Sequence, residues 1–193
     1  MPHKIYSFDP KDCETYHLKF NTQFYVQPPA EFFRPREILY DLVFLGAPKD
    51  RLACVRSIYE DCKKQDLRLR IYVIAPCADA AVTEDGWQAG LEYFGYDTYI
   101  TDFVLPARAI LDVYQTGQTG YSLRVMEHLF FGKKLVTNNP VIRDAEFYHP
   151  ENIFILGDRD IGELKPWLDV PFVPIPDEVR DYYEIHNWLE RFV

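Results

Sequence analysis

The sequence predicts an α/β fold of the doubly wound class, a parallel sheet with helices on both faces, and three observations carry that prediction. Residues 38–47, ILYDLVFLGA, form a continuous apolar run, the pattern of a parallel strand buried on both faces. Runs of this kind alternate with segments of helical period through short connections, which is the βαβ rhythm. Residues 115–139, QTGQTGYSLRVMEHLFFGKKLVTNN, read as one complete unit: the end of a strand, a loop of small residues, a helix and a second strand.

Residues 1–37 open irregularly. Tyr and Phe recur without a period, and Pro28, Pro29 and Pro35 punctuate the second half, so this stretch reads as an extension and linker that packs on the following domain or on a partner. Within it, residues 4–8 suit a short strand, and one helical turn follows Asp9-Pro10. The domain proper spans 38–193. After its first strand, residues 50–64 read as a helix with Leu52, Val55, Ile58 and Tyr59 on one stripe and Asp50 as cap. LRLRIYVIAP (67–76) is the second strand, stopped by Pro76. Residues 78–90 suit a short helix around Trp87, and LEYF (91–94) a brief third strand. Residues 97–106 read as a helix ended by Pro106, and AILDVY (109–114) as the fourth strand.

The helix at 121–131 has Leu123, Met126, Leu129 and Phe130 at helical spacing. Lys133 and Lys134 follow it as cations suited to the helix dipole, and KLVTN is the fifth strand. Arg124 lies off the apolar stripe and is expected in solvent or in a rim ion pair, and His128 is expected to be structural or exposed. Residues 144–148 connect to NIFILG (152–157), the sixth strand, and 161–168 form a short helix. A last helix covers 177–192, with Val179, Tyr182, Tyr183, Ile185, Trp188, Leu189 and Phe192 apolar.

Composition bounds the function. At 193 residues, 48% hydrophobic and 26% charged, the chain has the make-up of a globular domain without a disordered tract. A net charge of −9 disfavours nucleic acid and anionic membrane surfaces as partners. Cys13, Cys54, Cys62 and Cys77 share no CxxC spacing, which fits reduced thiols in a cytoplasmic protein. Neither a signal peptide nor an apolar run of ~18 residues is present, so no membrane span is expected.

The familiar chemistries of this architecture lack their motifs. The first strand ends in GAPKDR rather than GxGxxG, no GxxxxGK[ST] or GxSxG occurs, and the five histidines have no metal spacing. No metal is therefore expected at the site, and no catalytic residue or cofactor is assigned. Ligands of doubly wound sheets sit at the C-terminal strand ends. Three stretches reach that edge: residues 46–51, residues 115–123, and Asn138 with Asn139. Gly46 permits a turn, and Arg51 can pair with a phosphate. The loop with Thr119 and Gly120, leading to the N–H groups of Ser122 and Leu123, suits an anion at a helix N-terminus. Glu127, one turn on, can accept from a sugar diol. These groups suit a nucleoside diphosphate better than a monocarboxylate or an apolar ligand.

The residues TGYSLRVMEHLFFGKKLVTNN resemble the donor-binding signature of GT-B glycosyltransferases, Glu-Gly-Phe-Gly-Leu-x-x-x-Glu followed by Ala-x-x-x-Gly-x-Pro-Val-Ile. FLGAPKDR, RAILDV, GQTG, GKKLVTNN and NIFIL together resemble bacterial capsule and lipopolysaccharide biosynthesis proteins of that fold, over about residues 42–156. The resemblance implies the donor-binding half of a transferase that takes a nucleotide-diphosphate sugar as substrate and a glycan or lipid-linked acceptor. Under it, Glu127 matches the glutamate that binds the donor ribose, Ser122 and Leu123 match the backbone phosphate donors, and Gly132 matches the glycine after the donor helix. Arg51 lies one position before the family's basic residue. Thr119 stands where the family has its first glutamate, which puts the usual retaining chemistry in doubt and keeps a non-catalytic nucleotide- or sugar-binding module as the alternative. Only the second half of such an enzyme is evident, so residues 1–37 are expected to be the tail of an acceptor domain that a longer chain or a partner supplies.

Overall fold

The structure, a computed structural model, describes residues 4–47, 49–74, 83–90, 93–115 and 117–192, with the backbone alone at Thr83 and Glu84. The chain opens with β1 (Tyr6–Ser7), α1 (Pro10–Tyr16) and β2 (Lys19–Phe20), whose two strands pair in parallel. The main sheet follows: β3 (Tyr40–Gly46), β4 (Leu69–Ile74), β5 (Thr83–Glu84), β6 (Trp87–Gly90), β7 (Ala107–Asp112), β8 (Lys134–Thr137) and β9 (Ile153–Ile155). Its order is β5-β6-β4-β3-β7-β8-β9, and every pairing is parallel except β5 with β6. The parallel strands, taken in chain order, thus lie 3-2-1-4-5-6, the arrangement of the doubly wound fold. The expected fold class is the observed one.

Strand alternation divides the apolar residues between two faces. Leu42, Phe44, Ala109, Leu111, Val136 and Phe154 join a core with α2 (Leu52–Lys64). Val43, Ile110, Leu135 and Ile153 point the other way. There they meet α3 (Tyr96–Tyr99), the π-helical turn Ile100–Val104 that continues it, and α4 (Leu123–Phe131). The wider turn is defined by the Leu105 N–H bonding to the Ile100 carbonyl at 2.9 Å. α4 ends at Gly132, left-handed at φ 59°, as a helix C-cap favours. Lys133 and Lys134, expected as helix-end charges, are structural donors. Lys133 bonds to the Leu105 and Ala107 carbonyls, and buried Lys134 to that of Trp167. Buried His128 bonds through Nδ1 to the Lys133 carbonyl, so of the two settings expected for it, structural or exposed, it takes the structural one.

Four expectations need correction. Residues 87–90, read as part of a helix, are strand β6, because Asp85-Gly86 turns β5 into it. Gly86 has φ 78°, and a Cβ there would lie 2.9 Å from the Leu69 carbonyl. Of the strand expected at 91–94, Tyr93 and Phe94 belong to no strand; Leu91 and Glu92, like residues 78–82, lie outside the described residues. Asp50 is not the N-cap of α2; Arg51 takes that position, and its side chain makes no capping bond. The single C-terminal helix is two, α6 (Asp177–Tyr183) and α7 (Ile185–Leu189), after α5 (Leu164–Asp169). Glu184 between them is extended because the chain pairs there with Tyr25: the Tyr25 N–H bonds to the Tyr183 carbonyl at 2.9 Å, and the Ile185 N–H to that of Tyr25 at 3.0 Å. The early segment is thereby tied to the C-terminus, and Tyr25 itself is buried in the core.

Candidate functional site

The strand order reverses between β3 and β7, and their C-terminal ends carry Gly46 and Asp112. Two guanidinium groups converge there. Arg51, at the head of α2, donates from Nη1 to the Val113 carbonyl at 2.7 Å and from Nε to that of Ala47 at 3.3 Å. Arg124, in the first turn of α4, donates to the Leu45 carbonyl. Both lie over the Phe44 ring, 5.5 and 5.2 Å from its centroid. A Cβ at Gly46 would be 3.0 Å from Arg124 Nη2 and 3.1 Å from Arg51 Nη2, so a side chain there would push both guanidinium groups back by a few tenths of an ångström. Among the described residues neither forms an ion pair with a carboxylate. Burial, then the charge of Arg124, lowers the pKa of Arg51. Burial also opposes the charge of Arg124, but Tyr99, Asp112 and Glu127 outweigh it.

Buried polar atoms surround this pair. Among the described residues Asp112 Oδ2, Ser122 Oγ, Arg124 Nε and Asn139 Nδ2 are buried without a well-aligned hydrogen bond, although Ser122 lies against the Asp112 carboxyl and Asn139 against the Tyr114 hydroxyl. Burial pushes the Asp112 carboxyl up, against the pull of Arg124. The Ser122 N–H, expected to face a ligand, donates to the Tyr114 hydroxyl at 3.0 Å, and Asn138 Oδ1 accepts from the Tyr114 N–H at 2.7 Å.

Glu127 is 1% exposed. Its Oε1 accepts from the Tyr96 hydroxyl at 3.1 Å and its Oε2 from the Tyr99 hydroxyl at 2.7 Å; the Tyr96 hydroxyl also bonds to that of Tyr25. Burial raises its carboxyl to about 7, with Arg124 and the two tyrosines holding it back. A direct contact between Glu127 and a ribose requires Tyr96 to turn aside. Beside this network an apolar groove of about 400 Å³ is lined by Val26, Pro29, Phe32, Tyr96, Ile100 and Leu123. The side chain of Leu123, 48% exposed, therefore faces this groove.

Thr119 and Gly120 face the chain itself. Asp9 Oδ2 accepts from the Thr119 N–H at 2.7 Å and the Gly120 N–H at 3.0 Å, and Asp9 Oδ1 accepts from the Thr119 hydroxyl. The structure thus gathers Gly46, Arg51, Ser122 and Glu127 around one strand edge and turns Thr119 and Gly120 to Asp9. Sequence reasoning missed Arg124, Asp9, Tyr96 and Tyr99. For Arg124 a signal existed: it stands three residues before Glu127 on one helix, which puts the two on one face. Among the described residues, no three of His, Cys, Asp and Glu are grouped to hold a metal ion, and no helix is long and apolar enough to cross a membrane.

No protein-family model matches the sequence, and no curated protein does. Among solved structures, AviGT4, a glycosyltransferase involved in Avilamycin A biosynthesis, matches with a TM-score of 0.56 over 91% of this chain. The identity is 15%, so the likeness is one of fold. The chain spans 56% of that protein's length.

Proposed function

We propose that the chain binds a nucleotide-diphosphate sugar at the β3–β7 strand edge and is the donor-binding half of a glycosyltransferase. The observation that supports this most is the pair Arg51 and Arg124, stacked over Phe44 and closing on Gly46 at the point where strand order reverses. Two guanidinium groups that form no ion pair with a carboxylate among the described residues match two phosphates, and the low polarity around Phe44 strengthens that attraction. In transfer they stabilise the charge that develops on the leaving diphosphate. Glu127 then acts on the donor through Tyr96, or directly once Tyr96 turns. Fold likeness to a glycosyltransferase supports the reaction class; a role in capsule or lipopolysaccharide assembly, with a glycan or lipid-linked acceptor and an acceptor domain supplied elsewhere, extends the same reading. The Asp9 carboxylate in the glycine loop favours the alternative, a sugar-nucleotide-binding module without turnover.

Calorimetry with UDP, GDP, ADP and CMP checks the binding. At least one of them is expected to bind, and Arg124→Met should weaken it about tenfold to a hundredfold, the loss of one charge-assisted contact of ~1.5–3 kcal/mol. Unchanged affinity in that variant, or no binding of any nucleotide, would refute the reading. Donor hydrolysis by the chain, abolished in the variant, would eliminate the module without turnover.

A further inference from the structure

The turn at Thr119–Gly120 already holds an anion, and the anion belongs to the chain. Asp9 is 7% exposed, accepts from two successive backbone N–H groups and the Thr119 hydroxyl, and also accepts from the Lys11 N–H at 2.9 Å. Its carboxyl is held at about 2: burial opposes the charge, and the bonds from Thr119, Gly120 and Lys11 outweigh it. Gly120 serves this contact, since a Cβ there would lie 2.5 Å from the Phe8 carbonyl oxygen and 3.0 Å from Asp9 Cα. Ser122 Oγ, two residues on, is buried beside the Asp112 carboxyl.

The segment that brings Asp9 is lightly held. α1 has seven residues, none buried, and a helix of that length does not persist alone. β1 and β2 pair over two residues each, and Tyr6 leans on Phe192 with 4.6 Å between ring centroids. The Asp9 carboxylate is the buried attachment of this segment to the loop.

We propose that the Thr119–Gly120 turn is a phosphoryl-binding site and that Asp9 is its built-in competitor: an incoming phosphoryl group displaces the carboxylate, and residues 6–16 lift with it. Two adjacent N–H groups and a hydroxyl serve phosphoryl oxygens as they serve a carboxylate. A phosphoryl group carries more charge at a strand edge that also presents Arg51 and Arg124, so the exchange runs in its favour. Identifying the ligand as a nucleotide rests on the function proposed above; the anion site does not.

The test titrates inorganic pyrophosphate and UDP, GDP and ADP into the full chain, Asp9→Ala and Asp9→Asn, with circular dichroism checking each fold. Asn retains the N-cap of α1 and removes the charge, so the test survives a misfolded alanine variant. Pyrophosphate is expected to bind both variants at least fivefold more tightly than the unaltered chain. Trypsin cleavage at Lys11 should speed up in the unaltered chain when pyrophosphate is added. Equal or weaker pyrophosphate binding in the variants, or cleavage that does not respond, overturns the competitor. If the variants gain pyrophosphate affinity and bind no nucleotide, the competitor stands and the nucleotide reading falls. If nucleotides bind all three forms alike and pyrophosphate shows no gain, the reading stands and the competitor falls.

Discussion

Glu127 shows how one residue was legible in kind and illegible in setting. A glutamate one helical turn beyond a glycine loop could be singled out from spacing, but its enclosure by Tyr96 and Tyr99 could not, because α3 arrives from across the sheet. The enclosure has a measurable consequence. The carboxyl lies near 7 in the fold against an ordinary 4.5, so below 4.5 the fold keeps its full stability from this group and loses it as pH rises toward 7. Stability measured from pH 5 to pH 8 should fall more steeply in the unaltered chain than in Glu127→Gln, where the group does not ionise; equal slopes would mean the carboxyl is not held up. Asp41 runs the opposite way. Burial opposes its charge, but bonds from Arg68 and Arg108 lower its pKa, so it contributes stability above the ordinary carboxylate range that is lost on acidification. Asp41→Asn should flatten the acid limb of the denaturation profile and leave the limb above pH 5 in place. Arg124 was misread because the apolar stripe of α4 says only which side faces the core; that the opposite side of its first turn reaches over the end of β3 depends on which strands are neighbours.

At the scale of elements, central strands and amphipathic helices were legible because burial on two faces or one leaves a period in the sequence. The elements that differed are those set by partners far along the chain. Asp85-Gly86 is a hairpin signal in its own right, and reading residues 78–90 as helical passed over it. The break at Glu184 has no local signal, since it arises from pairing with Tyr25, and Tyr25 lies in a stretch read as linker. Long-range ties of this type also fix the C-terminal strap beside β9. Asn152, 1% exposed, donates to the Val173 carbonyl at 2.7 Å and accepts from the Val173 N–H at 2.8 Å. Asn152→Ala leaves both groups unpaired and should cost about 2–3 kcal/mol, a fall in melting temperature of roughly 5–10 °C for a chain of this size. Thermal unfolding by circular dichroism reads this directly, and a fall under about 2 °C would mean the strap is held by its other contacts.

Across the whole molecule, buried polar chemistry concentrates at one edge, although His128 Nε2 and Arg191 Nε are buried without a hydrogen bond away from it among the described residues. Two core layers account for the apolar residues, while the β3–β7 edge gathers two guanidinium groups, the buried Asp112, Ser122 and Asn139 side chains, and a glycine loop closed by the chain's own carboxylate. The same edge is where a doubly wound sheet admits a nucleotide. The central claim is that the diphosphate lies between Arg51 and Arg124. The most direct measurement is a crystal structure of the full chain with the tightest-binding nucleoside diphosphate. The account predicts phosphate oxygens within about 3 Å of both guanidinium groups, over Gly46. A nucleotide seated in the apolar groove beside Leu123, or at the opposite ends of the strands, would contradict it.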